Sequence, residues 1–162
     1  SPRKIYSNMG IVLQNPANQF ISQRVLDEVL FSLKVWNKNQ TEKWYTAKAM
    51  EMLEAFQLGK YHRYSPYMLS QGQQRRLAVL SMIVGGQEIL LLDEPTYGQD
   101  YRSTMAIMEL LTQRVEEDGL TVIFSTHDTG LAQNWADAIF IMEDGKLKHR
   151  SLNRCKISER VI

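Results

Sequence analysis

Short aliphatic runs along the chain predict the strands of a buried sheet. The run Ile-Leu-Leu-Leu at 89–92 has no polar alternation, so both faces of that strand are predicted to be buried. Runs at 10–13 and 120–126 predict two further buried strands. Because strands without alternation are typical of parallel sheets covered by helices, the pattern favours an α/β fold.

Helical spacing of apolar residues fills the stretches between these strands. It predicts helices at 24–33, 42–58, 71–83, 101–117 and 131–135. Ser70 is the predicted N-cap of the third helix, and Gly59 is predicted to end the second. A last strand at 138–142 leads into a hairpin turn at Asp144-Gly145, and the chain beyond Lys148 is polar and irregular.

Composition narrows the class of protein. The 162 residues are 44% hydrophobic and 23% charged, with a net charge of +1, which indicates a globular domain without a basic nucleic-acid-binding surface. The single cysteine, Cys155, excludes an internal disulfide. No signal peptide is visible and no apolar stretch is long enough to span a bilayer, so we expect any membrane association to run through a partner.

Polar residues follow three of the predicted strands. Gln14, the pair Asp93-Glu94 and His127 would meet at one edge if the strands are parallel neighbours. Such a set suits the attack of water on a nucleoside triphosphate: Asp93 binds a hard cation, Glu94 deprotonates water, and His127 hydrogen-bonds the γ-phosphate or the water. Taken alone, the stretch 88–96 fits an ordinary buried strand that ends in a polar turn equally well.

A second candidate site lies at the start of the helix that follows Ser70. The sequence Leu-Ser-Gln-Gly-Gln at 69–73 places a glycine at a helix N-terminus, where free N–H groups and the helix dipole attract anions. The alternative is a helix that is merely well capped.

The order and spacing of these elements resemble the nucleotide-binding domain of ABC transporter ATPases, a P-loop NTPase fold with a helical subdomain. Residues 69–73 are similar to the family's LSGGQ signature, with Gln71 where glycine is commonest, and 89–94 to Walker B with its catalytic glutamate. Residues 98–100 resemble the D-loop, although leucine is usual where Gln99 stands. Residues 126–128 resemble the switch-histidine loop, and Gln14 resembles the Q-loop. The neighbourhood of Gln14 and the stretch 92–100 are also similar to ATPases of energy-coupling factor importers.

This resemblance implies roles for the matching residues. Glu94 and His127 are catalytic, and Asp93 and Gln14 hold the Mg²⁺ that accompanies ATP. The implied ATP-binding residues are Gln14, Ser70, Gln71, Gly72, Gln73 and Asp100. Two domains meet head to tail as a homo- or heterodimer, so that the loop at 70–73 contacts ATP held by the opposite domain. The 15–45 region meets a transmembrane subunit, at the cytoplasmic face of the membrane.

No Gly-x-x-x-x-Gly-Lys-Ser/Thr sequence occurs in the chain. The resemblance therefore implies the C-terminal two-thirds of an ATPase domain: a partial domain at 1–148, with a helical subdomain at about 24–84, and a tail at 149–162. In the family, the strand before the phosphate loop lies between the strands that match 121–126 and 138–142, so a gap is expected there. We expect either a longer parent chain, or a fragment that fills the gap by rearrangement, self-association or a partner strand. The 162 residues alone are expected to be inactive.

Two alternatives remain at this point. The chain could be a non-catalytic or regulatory module that donates its Ser70–Gln73 loop to a complete ATPase. It could also belong to a soluble ABC protein outside transport, a possibility that the near-neutral charge and the absence of a long coiled-coil insert both disfavour.

Overall fold

The computed structural model describes residues 8–152, which fall into two compact units divided after Ser125. In the first unit, strands β1 (Met9–Val12), β2 (Ile89–Asp93) and β3 (Thr121–Ser125) form a parallel sheet in the order β1-β2-β3. This arrangement confirms the predicted α/β fold. It also places the carboxyl ends of three strands at one edge of the sheet.

Four α-helices belong to this unit: α1 (Val25–Trp36), α2 (Glu42–Ala55), α3 (Gln71–Ile83) and α4 (Tyr101–Asp118). Short 3-10 turns lie at Pro16–Gln19, Gly59–Tyr61 and Pro66–Met68. The prediction that α2 reaches Leu58 is wrong, because Gln57 adopts a left-handed backbone (φ 57°) that turns the chain away. Gly59 opens the next turn instead, and the Glu54 carboxylate occupies the space that a Cβ there would need.

Helix α3 packs directly on the sheet. A Cβ on Gly10 of β1 would lie 3.0 Å from Met82 of α3 and 3.0 Å from the Leu90 side chain, so glycine permits the close approach. The fully buried side chains on this face and in the helices above it include Val12, Leu53, Phe56, Leu77, Leu80 and Leu90. The core therefore lies between one face of the sheet and the helices.

The opposite face of the sheet corrects the prediction of two buried faces. Ile11, Leu91 and Ile123 are paired across the three strands, and Ile11 and Ile123 are 45% and 56% exposed. Leu91 is half-buried. The expectation fails because α3 covers the face that carries Gly10 and Leu90, while the described part of the chain leaves the other face open.

The second unit contains α5 (Thr129–Trp135) and an antiparallel hairpin of β4 (Ala138–Glu143) and β5 (Lys146–Leu152). Asp144 and Gly145 form the predicted turn, with φ of 50° and 71°. Strand β5 continues to Leu152, so residues 149–152 are not irregular, because pairing with β4 satisfies the backbone of this polar strand. Cys155 and the rest of the predicted tail lie outside the described residues.

The pairing of β3 and β4 bears on the expected gap. Among the described residues, β3 pairs with β2 alone and β4 pairs with β5 alone.

None of the described helices is long and apolar enough to cross a membrane.

The unequal burial of the two sheet faces predicts unequal costs of truncation. Leu90→Ala removes a fully buried side chain and should lower the free energy of unfolding of the 162-residue chain by about 2–5 kcal/mol. Leu91→Ala, one position along the same strand, should cost less than about half as much. Urea unfolding of both variants measures the difference, and equal costs would show that the second face is as well packed as the first.

Candidate functional site

The carboxylate pair predicted from the sequence lies at the carboxyl end of β2. Asp93 is paired in register with Ser125, the last residue of β3. The Ser125 hydroxyl donates to Asp93 Oδ1 at 2.8 Å, and the Glu94 backbone N–H donates to Ser125 Oγ at 3.2 Å. One serine on the neighbouring strand therefore positions both acidic residues.

Glu94 has an unusual backbone. Its φ of 48° lies in the left-handed region, which residues with a Cβ seldom adopt. The Ser125 contact holds its N–H, and its carbonyl accepts the N–H of Tyr97 at 3.1 Å. A strained backbone that its surroundings hold in place is typical of functional sites. Here it ends the strand abruptly and leaves the Glu94 side chain half-buried.

The Gln14 loop is next to this pair. It follows β1, and β1 lies beside β2 with Val12 opposite Leu92, so the loop leaves the same edge of the sheet as Asp93. The Arg75 side chain of α3 donates from Nη1 to the Leu13 carbonyl at 2.8 Å and from Nη2 to the Gln14 carbonyl at 2.6 Å. Gln19 adds a second anchor, because it bonds both Ile11 O and Leu13 N–H. The start of the loop is thus fixed while the Gln14 side chain stays exposed.

Arg75 is a buried cation, with only 2% of its surface exposed. Burial lowers its pKa, and the nearby carboxylate of Asp93 raises it. A guanidinium nevertheless remains protonated in proteins. Arg75 therefore brings a positive charge near Asp93 and connects helix α3 to the loop that carries Gln14.

The start of α3, where an anion site is predicted, forms a capping box. The Gln73 N–H donates to Ser70 Oγ at 3.4 Å, and the Ser70 N–H donates to Gln73 Oε1 at 2.9 Å. Gln73 also donates to the Tyr61 hydroxyl at 2.9 Å. In this structure Ser70 and Gln73 therefore stabilise the helix N-terminus, Gly72 is buried beside them, and Gln71 is exposed.

Asp100 also caps a helix. Its carboxylate accepts the Ser103 backbone N–H at 2.8 Å and the Ser103 hydroxyl at 3.1 Å. These hydrogen bonds hold the pKa of Asp100 below its ordinary value. Because the pKa is lowered in the folded state, the contribution to stability is present above the ordinary aspartate pKa and is lost as the pH falls through the lowered value.

His127 belongs to the second unit. It is exposed and lies just before Asp128, whose side chain accepts the N–H of Leu131 at 2.9 Å and so begins α5. The predicted meeting of His127 with Asp93 and Glu94 stays a prediction.

A magnesium ion is compatible with the residues at the edge of the sheet. Asp93 is exposed, and in the part of the chain that the structure describes its Oδ2 accepts no protein hydrogen bond. The same residues contain no group of three or more potential metal ligands. Mg²⁺ commonly binds through one or two protein oxygens and keeps its waters, which is compatible with Asp93 and the Gln14 amide as ligands.

The structure thus brings together the Gln14 loop, Asp93, Glu94 and the first turns of α3. A cleft of about 510 Å³ lies among the Gln14 loop, the start of α3 and the turn before Asp100. Sequence reasoning missed Ser125 and Arg75. Ser125 could have been found from its place at the end of the strand beside β2, whereas nothing in the sequence signals that Arg75 is buried.

Comparisons with known proteins agree with the geometry. The profile of the family described as ABC transporter matches residues 2–97. YkoD of Bacillus subtilis (strain 168), an ATP-binding protein named for HMP/thiamine import, is 39% identical over 142 residues, which are 88% of this chain and 25% of YkoD. The energy-coupling factor transporter ATP-binding protein EcfA of Methanosphaera stadtmanae is 34% identical over 139 residues, which are 86% of this chain and 49% of EcfA. The chain therefore spans about a quarter to a half of the length of these relatives.

Solved structures share the fold. CbiO1 from Clostridium perfringens, described as part of the ABC transporter complex CbiONQ, superposes with a TM-score of 0.82 at 29% identity and covers 98% of this chain and 62% of its own. The ATP-binding cassette MJ0796, solved as a dimer in a post-hydrolysis state with ADP and Pi, gives the same TM-score and identity, with coverages of 94% and 66%.

The link made by Arg75 predicts a cost when it is removed. Arg75→Met leaves the Leu13 and Gln14 carbonyls without their donors. It should lower the free energy of unfolding by about 2–4 kcal/mol, after the gain from no longer burying a charge is subtracted. Arg63→Met, at an exposed arginine, should change it by less than about 0.5 kcal/mol. Urea unfolding distinguishes them, and an Arg75 variant at least as stable as the wild type would show that burying the charge costs more than the hydrogen bonds return.

Proposed function

Since the chain belongs to the ABC transporter family, we propose that it is part of an ATP-binding subunit that hydrolyses Mg-ATP to drive import across a membrane. The observation that carries the proposal is the joint positioning of Asp93 and Glu94 by Ser125, at the edge where Arg75 fixes the Gln14 loop.

Each of the predicted site residues has a role in the proposed reaction. Glu94 accepts a proton from the attacking water, and hydrogen bonds from Tyr97 N–H and to Ser125 Oγ hold its left-handed backbone. Asp93 and Gln14 would hold the Mg²⁺, and His127 would hydrogen-bond the γ-phosphate. When bound, Mg²⁺ neutralises charge on the phosphate oxygens. The protein's own contribution is to position these groups before the reaction begins.

The phosphates themselves need a separate cradle of backbone N–H groups and a lysine. The 162 residues contain no such Gly-Lys-Ser/Thr loop. We propose that residues outside this chain supply it. The greater length of YkoD and EcfA supports this proposal, as do the separate pairings of β3 and β4 within residues 8–152.

The loop at Ser70–Gln73 is proposed to contact ATP held by a second ATPase domain. Its capping box fixes the first turn of α3, where helix N–H groups favour a phosphate. The dimer of MJ0796 and the presence of CbiO1 in a transporter complex support this kind of assembly. The second domain is a further copy or a related chain, and no nucleic acid is involved.

A transmembrane subunit is the second proposed partner, and it would hold the chain at the cytoplasmic face of the membrane. Helices α1 to α3 all fall within the helical subdomain proposed at about 24–84 of an ATPase domain at 1–148. The resemblance assigns the 15–45 region to contact with the transmembrane subunit. The names of YkoD and EcfA support import of the energy-coupling factor type.

The proposed role of Glu94 predicts a loss of turnover without a loss of binding. In the full-length protein assembled with its partners, Glu94→Gln should lower kcat for ATP by about 10²-fold or more, because the amide cannot accept the proton. Binding of ATP, measured by equilibrium titration with Mg²⁺, should change little.

Glu88→Gln is the matched control, since Glu88 is exposed and lies just before β2, at the opposite end of the strand. It should retain wild-type turnover. Retention of more than about a tenth of the activity by Glu94→Gln would contradict the catalytic role. If Ser70→Arg abolishes turnover while Glu94→Gln does not, the chain acts instead as a donor of the Ser70–Gln73 loop.

A further inference from the structure

Two glutamines occupy positions where the family usually has other residues, and each side chain extends toward the loop that carries the other. Gln71 stands where glycine is commonest, and Gln99 stands where leucine is usual. The Gln71 Oε1 atom lies 3.6 Å from the position that a Cβ on Gly98 would take. The Gln99 Oε1 atom lies 2.9 Å from the corresponding position on Gly72. Each side chain therefore extends toward the glycine that is next to the other glutamine, and we call this arrangement the crossing.

Gly72 makes this crossing possible. It is buried, and Ser103 Oγ lies 2.9 Å from the same Cβ position, so a side chain at 72 would collide with both Gln99 and Ser103. Ser103 is in turn bonded through its N–H and its hydroxyl to Asp100. Close approaches around Gly72 therefore lie between the first turn of α3 and the cap of α4.

These approaches lie between two loops with different proposed roles. Residues 70–73 are proposed to meet ATP on a second domain, whereas residues 97–100 begin three positions after Glu94. The N–H of Tyr97 donates to the Glu94 carbonyl, so a shift of this turn would move the strained backbone of Glu94, the proposed base.

We propose, resting on the proposed function, that Gln71 and Gln99 act as one positioning unit, which transmits ATP contact at the Ser70–Gln73 loop to the turn that orients Glu94. Neither glutamine is a catalytic residue. Each acts through the backbone that it holds.

A double-mutant cycle on the full-length, assembled protein tests the unit. Gln71→Gly and Gln99→Leu introduce the family's usual residues singly and together. Each single change should lower kcat by about 5-fold or more with KM for ATP altered less than about 2-fold, because small displacements of positioning groups slow the reaction. The double variant should return to within about 3-fold of wild type, because the two positions change together. The helix-propensity cost of glycine at 71 is the same in both backgrounds and cancels in the cycle.

Gln113→Leu, at an exposed glutamine of α4 bonded only to Glu117 among the described residues, is the control and should leave kcat unchanged. Thermal unfolding of the four proteins supplies a readout that does not need turnover. Multiplicative losses in kcat, or KM rising as kcat falls, would overturn the proposal. A wild-type protein without turnover would refute the proposed function. In that case the unfolding temperatures still test the pair: if the shift in the double variant equals the sum of the shifts in the two single variants, the two glutamines do not act as a pair.

Discussion

The site depends on a buried guanidinium. Arg75 extends from the second turn of α3 and donates to two successive carbonyls at the start of the Gln14 loop, with almost none of its surface in contact with water. Burial lowers the pKa of this guanidinium more than the Asp93 carboxylate raises it, and the hydrogen bonds to the two carbonyls offset part of the lost hydration. Because α3 also carries the Ser70–Gln73 loop at its start, one side chain ties that loop to the edge of the sheet.

The sheet supplies the other half of the arrangement. Parallel pairing in register puts Ser125 opposite Asp93, and the serine then holds the carboxylate of one acidic residue and the backbone of the next. The left-handed backbone of Glu94 is unfavourable, and hydrogen bonds of both its N–H and its carbonyl stabilise it. Rigid elements thus place a proposed base and a proposed metal ligand side by side before any ligand arrives.

Much of this could be predicted from the sequence. Aliphatic runs located all three parallel strands, the Ser70 cap located the start of α3, and Asp144-Gly145 located the hairpin, because each depends on local propensity. The end of α2 was missed, since Gln57 carries no recognised signal for a left-handed turn. The open second face of the sheet was missed because apolar residues indicate burial without saying what covers them. Arg75, Ser125 and the crossing of Gln71 with Gln99 depend on contacts between distant parts of the chain, which periodicity cannot predict.

In the proposed reaction these residues form the hydrolytic machinery, and residues outside this chain hold the phosphates of ATP. The most direct test is calorimetric titration of the purified 162 residues with Mg-ATP, together with an assay of phosphate release. We predict no binding in the micromolar range and no turnover. Micromolar binding with turnover that Glu94→Gln abolishes would contradict it, because the chain would then hold the phosphates by itself.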